Sequence, residues 1–367
     1  MNTRVIRIDP LVPDAAALIP AAQALRRGEI VAFPTETVYG LGAVWRDPEA
    51  VREIFRVKGR PQDNPLIVHE ASIGRMRQYF RSWDSVAECL ASAFCPGPFT
   101  LIMEHKENID SPVTAGLATI GVRIPAHPVA QMLIELCGEG LAAPSANLSG
   151  RPSPTSGADA LEDLDGKVPY IIDAGPCEVG VESTIISWVD GKLELLRPGG
   201  ISAEEILKAL HSQGLNIPLI TEDAGRAADH EPPRAPGMKY RHYAPQARVH
   251  ILRGETKEAK LEQLSRSAAE GILGSRPAFY LSEAIREKAM WILEGQNVAA
   301  FELITFTTEQ AHKAAAQGLF AAFRAFDRSG CSDIWAEEQS LQQLGAAYMN
   351  RLRKASAQQH ESLRNDY

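Results

Sequence analysis

The sequence predicts an α/β protein, with a twisted, open, mixed sheet in its first part and a second, smaller α/β domain behind it. Short apolar runs alternate with helix-period stretches as far as residue 173, the pattern of strands joined by helices. Asp190-Gly191 separates the apolar runs 184–189 and 192–196, a two-residue hairpin signal that adds antiparallel pairing to the sheet. Strand and helix patterns then resume beyond a Pro-rich, charged stretch at 221–246.

The elements follow in order. Residues 29–33 form an apolar run stopped by Pro34, a strand running into a loop. Asp47 can cap the free N–H groups of a helix, and Pro48 suits its first position. Val51, Ile54, Phe55 and Lys58 share one face at helical spacing. Gly59 is a helix stop, which puts Lys58 in the last turn. Runs 66–69, 99–103, 120–124, 141–143 and 168–173 read as further buried strands. Ser202 and Glu205 make a capping box that opens a helix through Leu210. In the second domain, 249–252 and 278–281 read as strands, and 257–269, 309–327 and 341–354 as helices.

Composition narrows the function. The chain has 367 residues, 45% of them hydrophobic and 23% charged, enough for two cores of ordinary globular kind. Its net charge is -8, which disfavours a nucleic-acid surface except in local basic grooves. The five cysteines form no C-x-x-C pair, so the reading is reduced thiols in a cytoplasmic protein without a disulfide framework or zinc site. Residues 1–10 lack the continuous apolar core of a signal peptide, and no stretch approaches a membrane span.

Candidate chemistry lies at the ends of the strands. Lys58 and Arg60 stand two apart on a helix–strand connection, K-G-R-P-Q-D-N. A point charge and a planar fork suit a polyphosphate; the ordinary alternative is a helix-dipole contact and a solvated Arg60. Thr35, Thr37 and Tyr39 follow a strand, where ligands gather in open α/β sheets, although lone threonines more often satisfy their own loop. His69 closes an apolar strand, a place commoner for a core histidine than for a catalyst. Arg123 sits inside an apolar run, so it needs an acidic partner or an anionic ligand. Ser145 and Asn147 follow another strand. Ser183 and Arg197 open and close the hairpin and should lie near each other. These strand ends carry hydroxyls and cations with few carboxylates, the profile of an anion-binding cleft. The segment M-K-Y-R-H-Y-A-P, 238–245, is dense in aromatics and cations for a spacer, and reads as a lid carrying Tyr240 and Tyr243.

The motifs P-T-E-T-V-Y-G-L, K-G-R-P-x-x-N-P-L, V-R-I-P, P-S-A-N-x-S-G, E-S-T and L-R-P-G occur in this order. The chain thereby resembles the YrdC-like domain of threonylcarbamoyl-AMP synthases. H-Y-A-P and the C-terminal region are similar to the longer, two-domain form. The resemblance implies a YrdC-like catalytic domain over 1–215, a linker or lid over 216–246, a Rossmann-like accessory domain over 247–356 and a tail over 357–367. It implies synthesis of threonylcarbamoyl-AMP and pyrophosphate from L-threonine, bicarbonate and ATP, with Mg²⁺ accompanying ATP. The product would feed a transient partner, the machinery that places threonylcarbamoyladenosine in tRNA; direct tRNA binding stays open. Carried over residue by residue, Thr37, His69, Arg123, the backbone at Ala143, and Ser183 would hold threonine. Lys58, Arg60, Asn64, Thr119, Ser145, Ser153, Arg197 and Tyr243 would hold ATP, with Lys58, Arg60 and Arg197 stabilising the reacting phosphates. No resident metal site is implied. Carbamoyltransferases of hydrogenase maturation share this domain, but they carry zinc-finger segments with clustered cysteines that this sequence lacks. A non-catalytic double-stranded RNA binder acting in ribosome maturation is the other alternative, and the net charge weighs against it.

Overall fold

The computed structural model describes residues 2–107, 109, 112–221, 233–238, 243–298 and 300–362, with side chains as far as 357. The chain divides into two compact units: Met1–Ser149 with Ser153–Tyr240, and Gly150–Pro152 with Arg241–Tyr367.

The first unit runs β1 (Arg4–Arg7), α1 (Ala15–Arg26), β2 (Val31–Phe33), β3 (Gly40–Val44), α2 (Pro48–Lys58), β4 (Ile67–His69), α3 (Ile73–Met76), α4 (Ser85–Phe94), β5 (Phe99–Glu104) and β6 (Thr119–Arg123). It continues with α5 (Pro128–Cys137), β7 (Leu141–Ala142), α6 (Gly157–Leu164), β8 (Tyr170–Asp173), β9 (Thr184–Val189), β10 (Lys192–Arg197), α7 (Ala203–Ser212) and β11 (Leu219–Ile220). The strands form one mixed sheet, in the order β1-β8-β2-β3-β7-β4-β6-β5-β9-β10-β11.

Local chemistry explains the elements around the cleft. Asp47 accepts from the backbone of Glu49 and Ala50, Pro48 opens α2, and Gly59 ends it at φ 62°, a left-handed conformation that costs glycine little. Asp190 and Gly191 both have positive φ, 51° and 70°, the turn that matches the twist of a hairpin. A bulge lies between Leu195 and Arg197. The sequence reading has a loop after Pro34 and names no strand between it and the helix opened by Asp47, yet β3 begins at Gly40 and pairs antiparallel with β2. The Phe33 ring occupies the space beside Gly40 and Gly42 that a side chain would need.

Alternation along the strands sends two sets of side chains to opposite faces. One face packs Ala32, Val68, Leu101, Val122 and Ile186 beneath Val51, Ile54 and Phe55 of α2, Leu90 of α4 and Leu210 of α7. The other packs Val31, Phe33, Leu141 and Ile172 against Leu18 and Leu25 of α1 and Leu133 and Ile134 of α5. Among the described residues, that helical cover contributes nothing to the cluster on β4, β5 and β9, where the same face carries Ile67, Ile102, Ile185 and, on β10, Leu196. Over these four side chains lies Ala235, with Met238 beside it. The segment from Pro233 to Met238 therefore packs on the first unit's sheet.

The second unit contains β12 (Arg248–Leu252), α8 (Lys257–Ala269), β13 (Pro277–Ser282), α9 (Glu283–Gly295), β14 (Glu302–Phe306), α10 (Ala311–Arg328), β15 (Asp333–Glu337) and α11 (Leu344–Ser362). Its sheet is all parallel, in the order β12-β15-β13-β14, with helices joining the strands, a small Rossmann-like arrangement. Buried Arg324 donates through Nε and Nη2 to the Pro152 carbonyl, at 3.1 and 2.7 Å. Among the described residues, no helix is long and apolar enough to cross a membrane.

Candidate functional site

Register sets the centre of the site. His69 on β4 pairs with Arg123 on β6, and Arg123 with Thr100 on β5. The three side chains thus stand in a row on the face that carries Ile67 and Ile102. All three are buried.

Arg123 is held by three groups. Its Nε donates to the Gly97 carbonyl at 3.3 Å, and its Nη1 to Thr37 Oγ1 at 2.8 Å. Its Nη2 lies 2.7 Å from Glu36 Oε1. Thr37 and Thr35 share a hydroxyl bond of 2.8 Å, and Thr35 Oγ1 donates to the Val38 carbonyl at 2.6 Å. Thr35 has one proton and spends it on Val38, so Thr37 is the donor to Thr35. The chain of donors therefore runs outward from Arg123, which fixes the rotamer of Thr37. Arg123's burial thus has an acidic partner, and Glu36 is a residue that the sequence reading passes over.

Burial, and secondarily the positive Arg123, pushes the His69 pKa down to about 3, so the imidazole is neutral at physiological pH. Burial pushes the Cys95 thiol up to about 12, with Glu36 adding in the same direction. The Cys177 thiol is raised more strongly by the same two causes.

A second cluster lies at the mouth of the hairpin. Arg197 donates from Nε to the Ser183 carbonyl and from Nη2 to Ser183 Oγ, both at 3.1 Å. Ser183 Oγ shares a 2.8 Å bond with Thr100 Oγ1. Ser183 and Arg197 are thus in contact, as the hairpin reading expects, and Thr100 connects them to the row containing Arg123. Gly199 permits the approach, since a Cβ there would lie 2.2 Å from the Thr184 nitrogen. Next to Ser183, Glu182 accepts from Ser153 Oγ at 2.6 Å. Glu36 and Glu182 are the carboxylates at this end of the cleft: Glu36 forms an ion pair with Arg123 but makes no hydrogen bond, and Glu182 accepts from Ser153.

Lys58 and Arg60 are both buried, which corrects the ordinary reading of Arg60 as solvated. Lys58 Nζ donates to the carbonyls of Ser145 and Asn147. Arg60 folds back on its own turn, donating to the carbonyls of Asn64 at 3.3 Å and Pro65 at 2.9 Å. Ala143 donates its N–H to the Ile67 carbonyl at 2.9 Å, which ties the 143–147 strand end to β4. Ser145 Oγ donates to Asn147 Oδ1.

Thr119 stands apart from these groups. It opens β6 four residues before Arg123, a span of about 13 Å along a strand. A crevice beside Thr119 is lined by Ile67, Ile102 and Gly121 together with Arg234 and Pro236. The crevice is about 10 Å³, room for one water at most. Arg197 Nη1 holds this segment by donating to the Pro236 carbonyl at 3.4 Å, and Arg234 pairs with Glu194.

Tyr243 belongs to the second unit. Its φ is 71°, its ring stacks on Phe320 at 5.5 Å, and Arg351 lies over it at 5.4 Å. Tyr240 lies outside the described residues.

Two family models match the chain: one described as telomere recombination (the Sua5, YciO and YrdC group) over residues 23–199, and the threonylcarbamoyl-AMP synthase C-terminal domain over 201–357. The threonylcarbamoyl-AMP synthase of Pyrococcus abyssi is 42% identical over 348 residues, covering 92% of this chain and 93% of that protein. The chain belongs to the threonylcarbamoyl-AMP synthase family. The Bacillus subtilis member is also 42% identical, over 95% of this chain and 93% of its own length. In structure, P. abyssi Sua5 complexed with L-threonine superposes with a TM-score of 0.84 at 39% identity, covering 97% of this chain and 98% of that one. Membership makes the chain an enzyme of the nucleotidyltransferase kind with the two-domain architecture of the family.

Proposed function

We propose that this chain makes threonylcarbamoyl-AMP and pyrophosphate from L-threonine, bicarbonate and ATP, and that its product serves tRNA threonylcarbamoyladenosine formation in the cytoplasm through a transient partner. The observation that carries the reading is the buried row of His69, Arg123 and Thr100 beside the Ser183–Arg197 contact. It supports a small pocket for one carboxylate, continuous with cations suited to phosphate.

In this reading the Arg123 fork takes the threonine carboxylate. Neutral His69, Thr37, Ser183 and the Ala143 backbone shape the rest of the pocket. The threonine nitrogen captures bicarbonate as a carbamate with loss of water and a proton, and a carbamate oxygen then attacks the α-phosphorus in line and expels pyrophosphate. The nucleophile is already an anion, so the step depends on positioning and charge screening. Lys58, Arg60 and Arg197 supply cations for this, while Asn64, Thr119, Ser145 and Ser153 receive the nucleotide. Tyr243 enters the proposal on the sequence resemblance alone. Mg²⁺ fits as a companion of the triphosphate, held by phosphate oxygens. Among the described residues, no three His, Cys, Asp or Glu side chains converge as a metal cage. Bound there, it would screen the departing pyrophosphate.

The segment beside Thr119 acts as a lid in this scheme. Residues 233–238 lie beside Thr119, so in this reading they are the part of the linker placed to move when ATP enters. The test is pyrophosphate release with threonine and bicarbonate omitted in turn. Dependence on both is expected, and release independent of threonine refutes the reading.

A further inference from the structure

We propose that Glu36 is the counter-ion for the α-ammonium group of the amino-acid substrate, and so selects an amino acid over its hydroxy-acid analogue. The inference rests on Arg123 holding the substrate carboxylate. Glu36 Oε1 lies 2.7 Å from Arg123 Nη2, yet this approach is off the N–H direction. Both Glu36 oxygens and Arg123 Nη2 are buried without a hydrogen-bond partner, although the Glu36 side chain is only 7% exposed. Buried polar groups left unmatched are costly, and in native structures they point to a ligand or a water. Here an anionic acceptor and a cationic donor lie side by side as an ion pair, each with its hydrogen-bonding capacity unspent. An α-amino acid carries the complementary pair on one carbon, a carboxylate for Arg123 and an ammonium for Glu36. Four alternating charges then close on one another, and no unpaired ammonium is buried.

Glu182, the other carboxylate of the cleft, already accepts from Ser153 at 2.6 Å. Thr37 spends its proton on Thr35 and receives Arg123, so its neutral hydroxyl keeps one acceptor site and no charge to balance an ammonium. Glu36 is therefore the group that is paired by charge alone, keeps its hydrogen-bond acceptors and has the right sign.

The experiment is calorimetric titration of the full chain with L-threonine, with 2,3-dihydroxybutanoate of matching configuration, and with ATP, for wild type and Glu36→Gln. Wild type should bind threonine about 30-fold more tightly than the hydroxy acid, the scale of one hydrogen bond to a charged group. Glu36→Gln should lose about that factor for threonine while hydroxy-acid and ATP affinities hold. Equal binding of the two acids by wild type overturns the proposal without any variant, which covers failure of the variant to fold. Equal weakening of both acids in the variant also overturns it, because Glu36 then only orients Arg123. Wild type that binds ATP but not threonine overturns the pocket reading itself, and the Glu36 assignment with it.

Discussion

Replacing Arg123 with lysine keeps the charge and removes the fork. Arg123 serves three partners: the Gly97 carbonyl, Thr37 and Glu36. A single ammonium on a flexible stem can reach one of them. Two buried groups then lose their partner at about 1–3 kcal/mol each, so stability should fall by about 2–6 kcal/mol. Domains typically hold roughly 5–15 kcal/mol, so the variant should remain folded. Substrate binding loses a charge-assisted hydrogen bond, about 1.5–3 kcal/mol, which is about 10–150-fold in threonine affinity. The assay is pyrophosphate release at saturating ATP with threonine varied, beside a thermal melt. A lower melting temperature with unchanged kcat/KM for threonine would show that Arg123 is structural only, and the carboxylate role would fall.

Further outcomes are expected elsewhere in the first unit. Lys58→Met should leave the Ser145 and Asn147 carbonyls without their donor, lowering stability by about 2–4 kcal/mol and weakening ATP binding at least tenfold by titration; unchanged ATP affinity would count against the phosphate role. Gly199→Ala should lower the melting temperature and threonine affinity together, because its Cβ would meet backbone atoms of Ser183 and Thr184 within 2.3 Å; a neutral melt would contradict the close approach. For His69, the folded pKa of about 3 lies below the ordinary 6.5, so the unfolded chain binds the extra proton. Its contribution to stability is fully present above pH 6.5 and is lost as pH falls toward 3. Denaturant titrations should give His69→Gln a shallower loss across that window than wild type, and equal slopes would refute the assignment.

The sequence announces those parts of the fold whose signals are local. Asp47, Pro48 and Gly59 mark α2 because capping acts within a few residues. Asp190-Gly191 marks the hairpin because the turn itself demands positive φ. β3 escapes notice because glycines make a weak strand signal, and its reason is the Phe33 ring on the neighbouring strand. α1 is obscured by Pro20 in its interior. The site divides in the same way. Arg123 stands out in the sequence because a charge in an apolar run needs an explanation. Glu36 does not, for its partner lies 87 residues away and the two meet only in the folded chain. The signal was present in the paradox of Arg123, which called for an acid somewhere. Lys58 is legible as the last residue of its helix, but its bonds to the 145–147 loop belong to tertiary structure.

The thiols near Arg123 have a consequence for the protein's durability. Oxidants and alkylating agents attack the thiolate, not the thiol. With its pKa at about 12, Cys95 ionises to only about one part in 10⁵ at pH 7. Cys177, pushed higher still, is rarer yet as thiolate. Burial therefore surrounds an electrostatically charged pocket with sulfur that is chemically quiet. An adenylate-forming centre of this build keeps Cys95 and Cys177 as poor nucleophiles toward its own activated product and toward peroxide.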